Sequence, residues 1–194
     1  MVLPIVVYGD PVLRKVAVDI DKNYEGLNDL IANMYETMYK ANGLGIAAPQ
    51  VGKSIRLFVV DTEPLAEDDE YSEEDRAQLK VFKKAFINAK ILSESGNEWV
   101  FNEGCLSIPK INENVSRLSE IEVEYYDEKF VKRHEKYTGV MARVIQHEYD
   151  HIEGKLFIDK IGPLKRKMLS GKLNDIANGK TQPDYKIRVY KSKK

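Results

Sequence analysis

The most informative segment of this chain runs Gln146-His147-Glu148-Tyr149-Asp150-His151-Ile152-Glu153-Gly154. On a helix, residues four positions apart lie one above the other on the same face, so the imidazoles of His147 and His151 can bind one metal ion. Glu148 lies beside them, close enough to move a proton on a metal-bound water without being a ligand itself. The segment therefore has the residue types and the spacing of an HExxH metal site.

The residues around this segment predict the helix that it requires. Thr138 is a suitable N-cap, and Gly154 a suitable stop, for a helix over 139–153. Val144 lies three residues before the first histidine of the motif, so we expect it to form an apolar wall beside the ion. A solvated helix that carries two histidines by chance is the alternative, but the motif uses two of the three histidines in the chain. The remaining one, His134, is expected to be an exposed residue at a strand end.

A catalytic metal site usually has three protein ligands and one open position, so a third ligand is needed. The metzincin pattern would put a histidine where this chain has Phe157, and the thermolysin-like pattern needs a later glutamate, but neither Glu nor His follows Glu153. Asp159 is a downstream possibility, as a lone aspartate. Cys105 is the better choice, because a thiolate is a good ligand for Zn²⁺ or Fe²⁺ and Gly104 allows close backbone approach. An inert buried thiol is the alternative for this cysteine.

A third block, which follows a predicted helix, runs Gly43-Leu44-Gly45-Ile46-Ala47-Ala48-Pro49-Gln50-Val51-Gly52. It is uncharged and rich in small residues, so its backbone N–H and C=O groups can approach a ligand, and Gln50 adds a neutral amide donor. An ordinary helix-to-strand turn would explain the same pattern. A P-loop is excluded, because the Gly-Lys-Ser sequence at 52–54 lacks the earlier glycine at the required spacing.

Composition limits the class of protein. A length of 194 residues with 43% hydrophobic and 31% charged residues predicts one soluble globular domain. Because 30 Lys and Arg face 31 Asp and Glu, general attraction to nucleic acid or to an anionic membrane is not expected. No apolar run approaches the roughly 18 residues of a membrane span, and no basic leader indicates a secretory signal. A single cysteine indicates a reducing compartment, so we expect a cytoplasmic location.

Hydrophobic periodicity predicts an α+β fold of strand meanders with a few helices. An amphipathic helix is expected at about 25–42 and another at about 161–177. Strands are expected at 55–60, 85–92, 121–126 and 130–134, the last two joined by a turn, and a short final strand at about 185–189.

Two segments are biased in charge. Residues 63–80 carry eight acidic residues, and we expect a surface insertion between strands with a short helix from Ser72. Residues 165–194 carry ten basic residues against two aspartates and end in a basic tail over about 179–194. A solvated surface is the simplest interpretation of both segments.

Taken together, the motifs resemble those of the peptide deformylase family in order and spacing. The likeness is carried by GLGIAAPQVG at 43–52, EGCLSIP at 103–109 and QHEYDHIEG at 146–154. The opening YGDPVLR at 8–14 is similar as well, and the whole likeness spans about 4–160. The acidic insertion and the basic tail depart from the family pattern, which leaves subtype and partners open but not the reaction.

The resemblance implies a single catalytic domain over 1–194, with antiparallel or mixed sheets around a central HExxH helix. It implies hydrolysis of the formyl group from the N-terminal formylmethionine of new polypeptides, with release of formate. Cys105, His147 and His151 would be the metal ligands, with water in the fourth position. The ion would be Fe²⁺, with Zn²⁺ or Ni²⁺ as substitutes.

The family's other site residues transfer to matching positions in this chain. Glu148 would be the general base and then the general acid as metal-bound water attacks the formyl carbonyl. Gln50 and the backbone N–H of Leu106 would form the oxyanion site, and Gly45 would help to hold the substrate backbone. The methionine side chain needs an apolar pocket, for which position suggests Val144, Phe101 and Ile46.

The partners implied are nascent N-formylmethionyl polypeptides, with no membrane and a monomeric enzyme. A transient ribosome contact through the basic C-terminal region is a further hypothesis. Two rival functions differ from this interpretation. A zincin-type endopeptidase is disfavoured by the missing downstream ligand. A non-catalytic protein with a structural metal, or with none, is disfavoured because structural sites usually have four protein ligands and the sequence offers three good ones.

Overall fold

The computed structural model describes residues 1–191 of the chain, which form four α-helices and seven strands. The helices are α1 (Leu27–Lys40), α2 (Glu73–Val81), α3 (Gly139–Ile152) and α4 (Pro163–Ala177). The strands are β1 (Ile5–Val6), β2 (Gly45–Ala47), β3 (Leu57–Asp61), β4 (Lys83–Cys105), β5 (Ile108–Tyr126), β6 (Lys132–Thr138) and β7 (Ile187–Arg188). The α+β class expected from the sequence is confirmed.

The main sheet has five antiparallel strands in the order β2-β3-β4-β5-β6. β4 and β5 form a long hairpin that turns at Leu106 and Ser107, so the cysteine at the end of β4 lies next to the turn. The register between the two strands shifts at several points, including one between Gly104 and Cys105. Such irregularities bend a hairpin, and here one bend lies beside the cysteine.

α3 is the central helix of the fold. Ten of its 14 residues are buried, so it is enclosed on almost every side. It packs against β2, β3, β5 and β6, with Val144 and Ile145 in a core cluster shared with the sheet. Thr138 occupies the N-cap position but makes no side-chain capping hydrogen bond. The helix ends before Gly154, whose φ of +69° and close approach to the carbonyl of Arg14 leave no room for a side chain.

Two further groups of apolar residues hold the remaining elements. α1 packs through Ile31, Met34 and Met38 against buried residues of β2 and β3. α4 packs through Leu173 and Ile176 against the β4–β5 turn and the segment after α3. The acidic segment lies between β3 and β4 as expected, with α2 capped by Ser72, whose Oγ accepts a hydrogen bond from the Asp75 N–H at 3.1 Å.

The two ends of the chain meet in a second, two-stranded parallel sheet. Ile5 pairs with Ile187, and Val6 pairs with Arg188. The expected final strand at 185–189 is therefore present but only two residues long. The last three residues of the basic tail, 192–194, lie outside the described residues. Between residues 1 and 191, no helix combines the length and the apolar character needed to cross a bilayer.

Candidate metal centre

Three of the predicted site residues meet at one point of the structure. Cys105, His147 and His151 each offer one ligand atom, and these atoms all lie within 4.8 Å of one another. The Sγ atom of Cys105 is 3.2 Å from Nε2 of His151, and the two imidazole centroids are 5.3 Å apart. The cysteine comes from the end of β4 and both histidines come from α3. A sulfur with two imidazole nitrogens suits Zn²⁺ or Fe²⁺, so the donor set fits a metal ion.

The downstream alternatives lie elsewhere or carry no ligand atom. Asp159 pairs with Arg14 at 2.5 Å and with Arg166 at 3.2 Å, and it is not part of the cluster. Phe157, at the metzincin histidine position, is buried and stacks against His147 with ring centroids 6.2 Å apart. Among residues 1–191, the cluster therefore has three protein donors, as a catalytic site requires.

Glu148 lies beside the cluster in an apolar setting. Its side chain is buried, and Oε2 has no hydrogen-bond partner within residues 1–191. Burial is the main reason that its pKa is raised to about 7. A carboxyl group with a pKa near neutrality can both accept and donate a proton, which is what a general acid–base needs.

A buried ionic network, which we did not predict from the sequence, supports the first histidine. The carboxylate of Glu103 accepts hydrogen bonds from Arg117 at 2.7 and 2.9 Å and from Arg143 at 2.9 Å. Its Oε2 atom is 3.0 Å from Nδ1 of His147, which leaves Nε2 of that ring free to face the cluster. Arg117 also donates to Asp150 at 2.7 Å.

The charge of Glu103 is maintained by this network. Burial alone would raise the pKa of Glu103, but the hydrogen bonds from Arg117 and from His147 lower it well below its ordinary value. A carboxylate behind a ligating histidine fixes the orientation of the ring and increases its basicity. Two features of the sequence are compatible with this network. Glu103 lies two residues before the cysteine, and Arg143 lies four residues before His147 on the same helix face. Neither feature shows which side chain Glu103 or Arg143 pairs with.

A cavity of about 440 Å³ opens beside the cluster. All three sequence blocks contribute to its wall, through Gly43, Leu44, Gly45, Gln50, Gly104, Cys105, Leu106, His147 and Glu148. Val144 and Phe101 also line it, as expected. Ile46 does not, because neighbouring residues of β2 point to opposite faces, and its side chain is fully buried against α1. The expectation for Ile46 was therefore wrong.

Gln50 and Gly45 have closely defined environments. Oε1 of Gln50 accepts a hydrogen bond from the Ala47 N–H at 2.7 Å, which directs its NH₂ group toward Sγ of Cys105 at 3.6 Å and Oγ of Ser107 at 3.3 Å. A Cβ atom at Gly45 would lie 2.6 Å from Oε1 of Glu148. Glycine at this position thus lets the carboxylate lie directly against β2.

Comparisons with known proteins point to one family. The family sequence model described as polypeptide deformylase matches residues 2–167. The peptide deformylase of Flavobacterium psychrophilum is 58% identical over 194 residues and covers 100% of both chains. That of Christiangramia forsetii is 52% identical over 194 residues, covering 100% of this chain and 99% of the relative.

Solved structures show the same likeness. The crystal structure of a peptide deformylase from Legionella pneumophila has a TM-score of 0.77 and 35% identity, covering 93% of this chain and 98% of that one. The peptide deformylase of Thermotoga maritima has a TM-score of 0.71 and 40% identity, covering 84% of this chain and 99% of that one. On the combined strength of the sequence blocks, the fold and these relatives, the chain belongs to the peptide deformylase family.

Proposed function

We propose that Cys105, His147 and His151 bind the ion with which this peptide deformylase hydrolyses the formyl group of N-formylmethionyl polypeptides. The observation that carries the proposal is the meeting of one sulfur and two imidazoles at the wall of a pocket, next to a buried carboxyl group. When bound, the ion would supply Lewis acidity, which lowers the pKa of water and polarises a carbonyl.

The protein groups around the pocket have complementary roles in the hydrolysis. Glu148 accepts a proton from the attacking water as the new C–O bond forms at the formyl carbon. It then delivers that proton to the departing amine as the C–N bond breaks, so that formate and a free N-terminus are released. The raised pKa of Glu148, about 7, suits both transfers.

Two donors would stabilise the negative charge that develops on the formyl oxygen. The side-chain NH₂ of Gln50 is held toward the cluster by the hydrogen bond that its own oxygen accepts from Ala47. The backbone N–H of Leu106 follows the ligating cysteine directly in the chain. Removing one preorganised donor of this kind typically costs on the order of 10²–10³ in kcat. Gly45 leaves the backbone of β2 open to the backbone of the substrate.

Formate release is the direct test. The metal-loaded protein, purified without oxygen, should release formate from a formyl-Met peptide and leave the N-acetyl and unblocked forms of that peptide intact. Cleavage inside the unblocked peptide would support an endopeptidase instead. A lack of formate from protein that contains one equivalent of metal would refute the proposal.

We further propose Fe²⁺ as the physiological ion, with Zn²⁺ and Ni²⁺ as substitutes. The support is the donor set, since one thiolate with two imidazoles suits each of these ions. A ferrous site with a sulfur ligand is sensitive to oxygen. Activity and iron content should therefore fall together on exposure to air, whereas zinc-loaded protein should be unaffected. An iron-loaded enzyme that keeps full activity in air would contradict the ferrous assignment.

The proposed setting is a monomeric, cytoplasmic, single-domain enzyme over 1–194 that meets nascent chains near the ribosome. The exposed basic residues of the C-terminal region, among them Lys167 and Lys172 of α4, support the ribosome contact. Two other basic residues of that helix already pair with acidic ones, Lys165 with Glu113 and Arg166 with Asp159. Co-sedimentation with ribosomes that is unchanged by K167E and K172E together would refute the contact.

A further inference from the structure

The C-terminal segment 178–190 folds back across the molecule to the pocket. The family sequence model ends at residue 167, so this segment lies beyond the part of the chain that defines the family. Its strand β7 pairs with β1. The guanidinium of Arg188 lies against Gly52, where an added Cβ atom would overlap Nη2. The segment is thus fixed to the end of the 43–52 block.

Tyr185 connects this segment to the pocket. Its half-buried ring lines the cavity and packs against the apolar cluster of α1, β2 and β3. Its hydroxyl donates a hydrogen bond to the carbonyl oxygen of Leu106 at 2.8 Å. Burial raises the pKa of Tyr185, so the hydroxyl keeps its proton and remains a donor throughout the neutral range.

The turn between β4 and β5 is held from a second side. The carbonyl of Ser107, next in the chain, accepts a hydrogen bond from the backbone N–H of Tyr8 at 2.8 Å. Two consecutive carbonyls are therefore fixed by the two ends of the chain, which are themselves joined by the β1–β7 pairing. The side chain of Leu106 rests on Gly43, where a Cβ atom would lie 2.9 Å from its Cδ1 atom.

We propose that Tyr185 is a positioning residue, which holds the Leu106 backbone so that its N–H points at the reacting carbonyl. The inference rests on the proposed function, in which that N–H is an oxyanion donor. The carbonyl that Tyr185 holds belongs to the peptide unit between Leu106 and Ser107, and the N–H belongs to the unit between Cys105 and Leu106. The two units meet at the Leu106 Cα, so fixing the carbonyl restricts the ψ angle of Leu106 and limits the movement of the Cα atom from which the N–H is presented. Donors of this type lose much of their effect when they are misplaced by about 1 Å.

A merely structural role would give a different result. If Tyr185 served only to anchor the C-terminal segment, removing its hydroxyl would lower the melting temperature and leave turnover unchanged. If it served only as a pocket wall, its loss would raise KM and leave kcat unchanged. The hydroxyl and the ring can be separated by substitution, because phenylalanine keeps the ring.

The test compares Tyr185→Phe with Tyr190→Phe, a matched control that removes a hydroxyl from an exposed tyrosine, 47% accessible, in the same segment. We expect Tyr185→Phe to lower kcat about threefold to tenfold, the effect of one ordinary hydrogen bond, with KM within about twofold of the parent. Tyr190→Phe should match the parent. Tyr185→Ala should also raise KM, because the wall is removed. A parental kcat in Tyr185→Phe would overturn the inference.

A second readout is independent of turnover. In ¹⁵N-labelled, zinc-loaded protein, hydrogen exchange at the amides of Leu106 and Ser107 should speed up in Tyr185→Phe and not in Tyr190→Phe. If the parent releases no formate while these amides respond as expected, the proposed function fails, although Tyr185 still holds the Leu106 backbone. If the parent is active and the variant keeps both its kcat and its slow exchange, only the positioning role fails.

Discussion

Glu148 lies against the backbone of β2, and its Oε2 atom lacks a hydrogen-bond partner within residues 1–191. A buried carboxyl group without a partner weakens stability rather than adding to it, so its presence beside the cluster points to a chemical role. Its pKa of about 7 has the same cause, the burial of the charged form.

The first prediction concerns this carboxyl group. Glu148→Ala should lower kcat by about 10²–10⁴-fold or more, because it removes the group that moves the proton in the proposed hydrolysis. Metal content and melting temperature should be retained, since the residue is not a ligand and its loss removes an unpaired buried acid. Formate release and metal analysis on the same sample check this. Loss of the metal together with activity would show that Glu148 is needed for binding the ion.

The second prediction uses the close approach at Gly45. In Gly45→Ala the new Cβ atom would lie 2.6 Å from Oε1 and 2.8 Å from Cδ of Glu148, so the carboxylate must move. We expect kcat to fall by about 10²-fold with the metal retained, because a general base displaced by about 1 Å loses that much. Gly171→Ala is the matched control, because apart from the adjacent backbone of α4 no atom of residues 1–191 lies within 4 Å of the added Cβ. An active Gly45→Ala enzyme would mean that Glu148 has room to reorient.

The third prediction concerns Glu103, which supports His147 from behind. Glu103→Gln should weaken metal affinity by about 10–100-fold, the usual effect of losing a carboxylate behind a ligating histidine. The substitution also removes the negative charge with which Arg117 and Arg143 pair. The control is Glu113→Gln, because Glu113 is the cross-strand neighbour of Glu103 and lies nearer the surface. Competition with a chromogenic chelator measures the affinity, and equal affinities in both variants would contradict a supporting role.

The metal ligands and the ionic network around Glu103 differ in how far they could be predicted from the sequence. Residue type and a spacing of four define His147 and His151, and the chain has a single cysteine, so the cluster could be found without coordinates. The network depends on the register of β4 with β5 and on which way Glu103 points. Several shifts occur in that register, and no local pattern reports them.

At the scale of elements, the predicted limits of a helix or strand were accurate where one face of that element is buried. α1 and α3 lie within two residues of their expected limits, because their apolar residues repeat at helical spacing. The strand expected at 85–92 is only the first part of β4, which continues to Cys105. Residues 93–98 are exposed and show no alternation of apolar and polar residues, because they pair with β5 without packing against the core. β6 begins at Lys132 and ends at Thr138, so its end lies four residues later than expected. The reason is the same, because pairing with β5 holds this part of the strand.

A fourth prediction concerns the ion pair that joins two of these elements. Arg14, at the end of a short 3-10 turn, makes a bidentate contact to Asp159 at 2.5 and 3.2 Å. Burial would raise the pKa of Asp159, but the hydrogen bonds from Arg14 and from the backbone N–H of Leu156, together with the charges of Arg14 and Arg166, outweigh it and lower the pKa. A carboxyl group with a lowered folded-state pKa adds stability above its ordinary pKa, and this is lost as pH falls through the folded-state value.

Asp159→Asn should therefore be less stable than the parent at pH 7, by about 0.5–1 kcal/mol, since the pair is partly exposed to solvent. The difference should be constant down to about pH 5 and should shrink below about pH 4, where the aspartate of the parent takes up a proton. Urea unfolding at pH 7, 5 and 3.5 measures it. A gap that persists unchanged at the lowest pH would show that the charge of Asp159 is not the source of the difference in stability.

At the scale of the whole molecule, the sequence could not indicate that the two chain ends meet. Alternation predicted a strand at about 185–189, but β1 and β7 pair over only two residues each, and no local pattern identifies one as the partner of the other. The pairing joins segments about 180 residues apart and brings Tyr185 to the pocket. Long-range contacts of this kind follow from the packed fold and not from local propensity.

The last prediction also belongs to the whole molecule, because the proposed ligands join its two main layers. Cys105 ends a strand of the sheet, and His147 and His151 lie on the central helix, so a bound ion crosslinks the folded state. An ion that binds only the folded chain stabilises it by about 2.7 kcal/mol at a free concentration of 100 times Kd. For a domain of this size, 1 kcal/mol corresponds to about 2–4 °C in Tm, so loading with Zn²⁺ should raise Tm by about 5–11 °C above the chelated protein. Cys105→Ala should lose most of this shift while Tyr190→Phe keeps it. An equal shift in Cys105→Ala would place the stabilising ion at some other site.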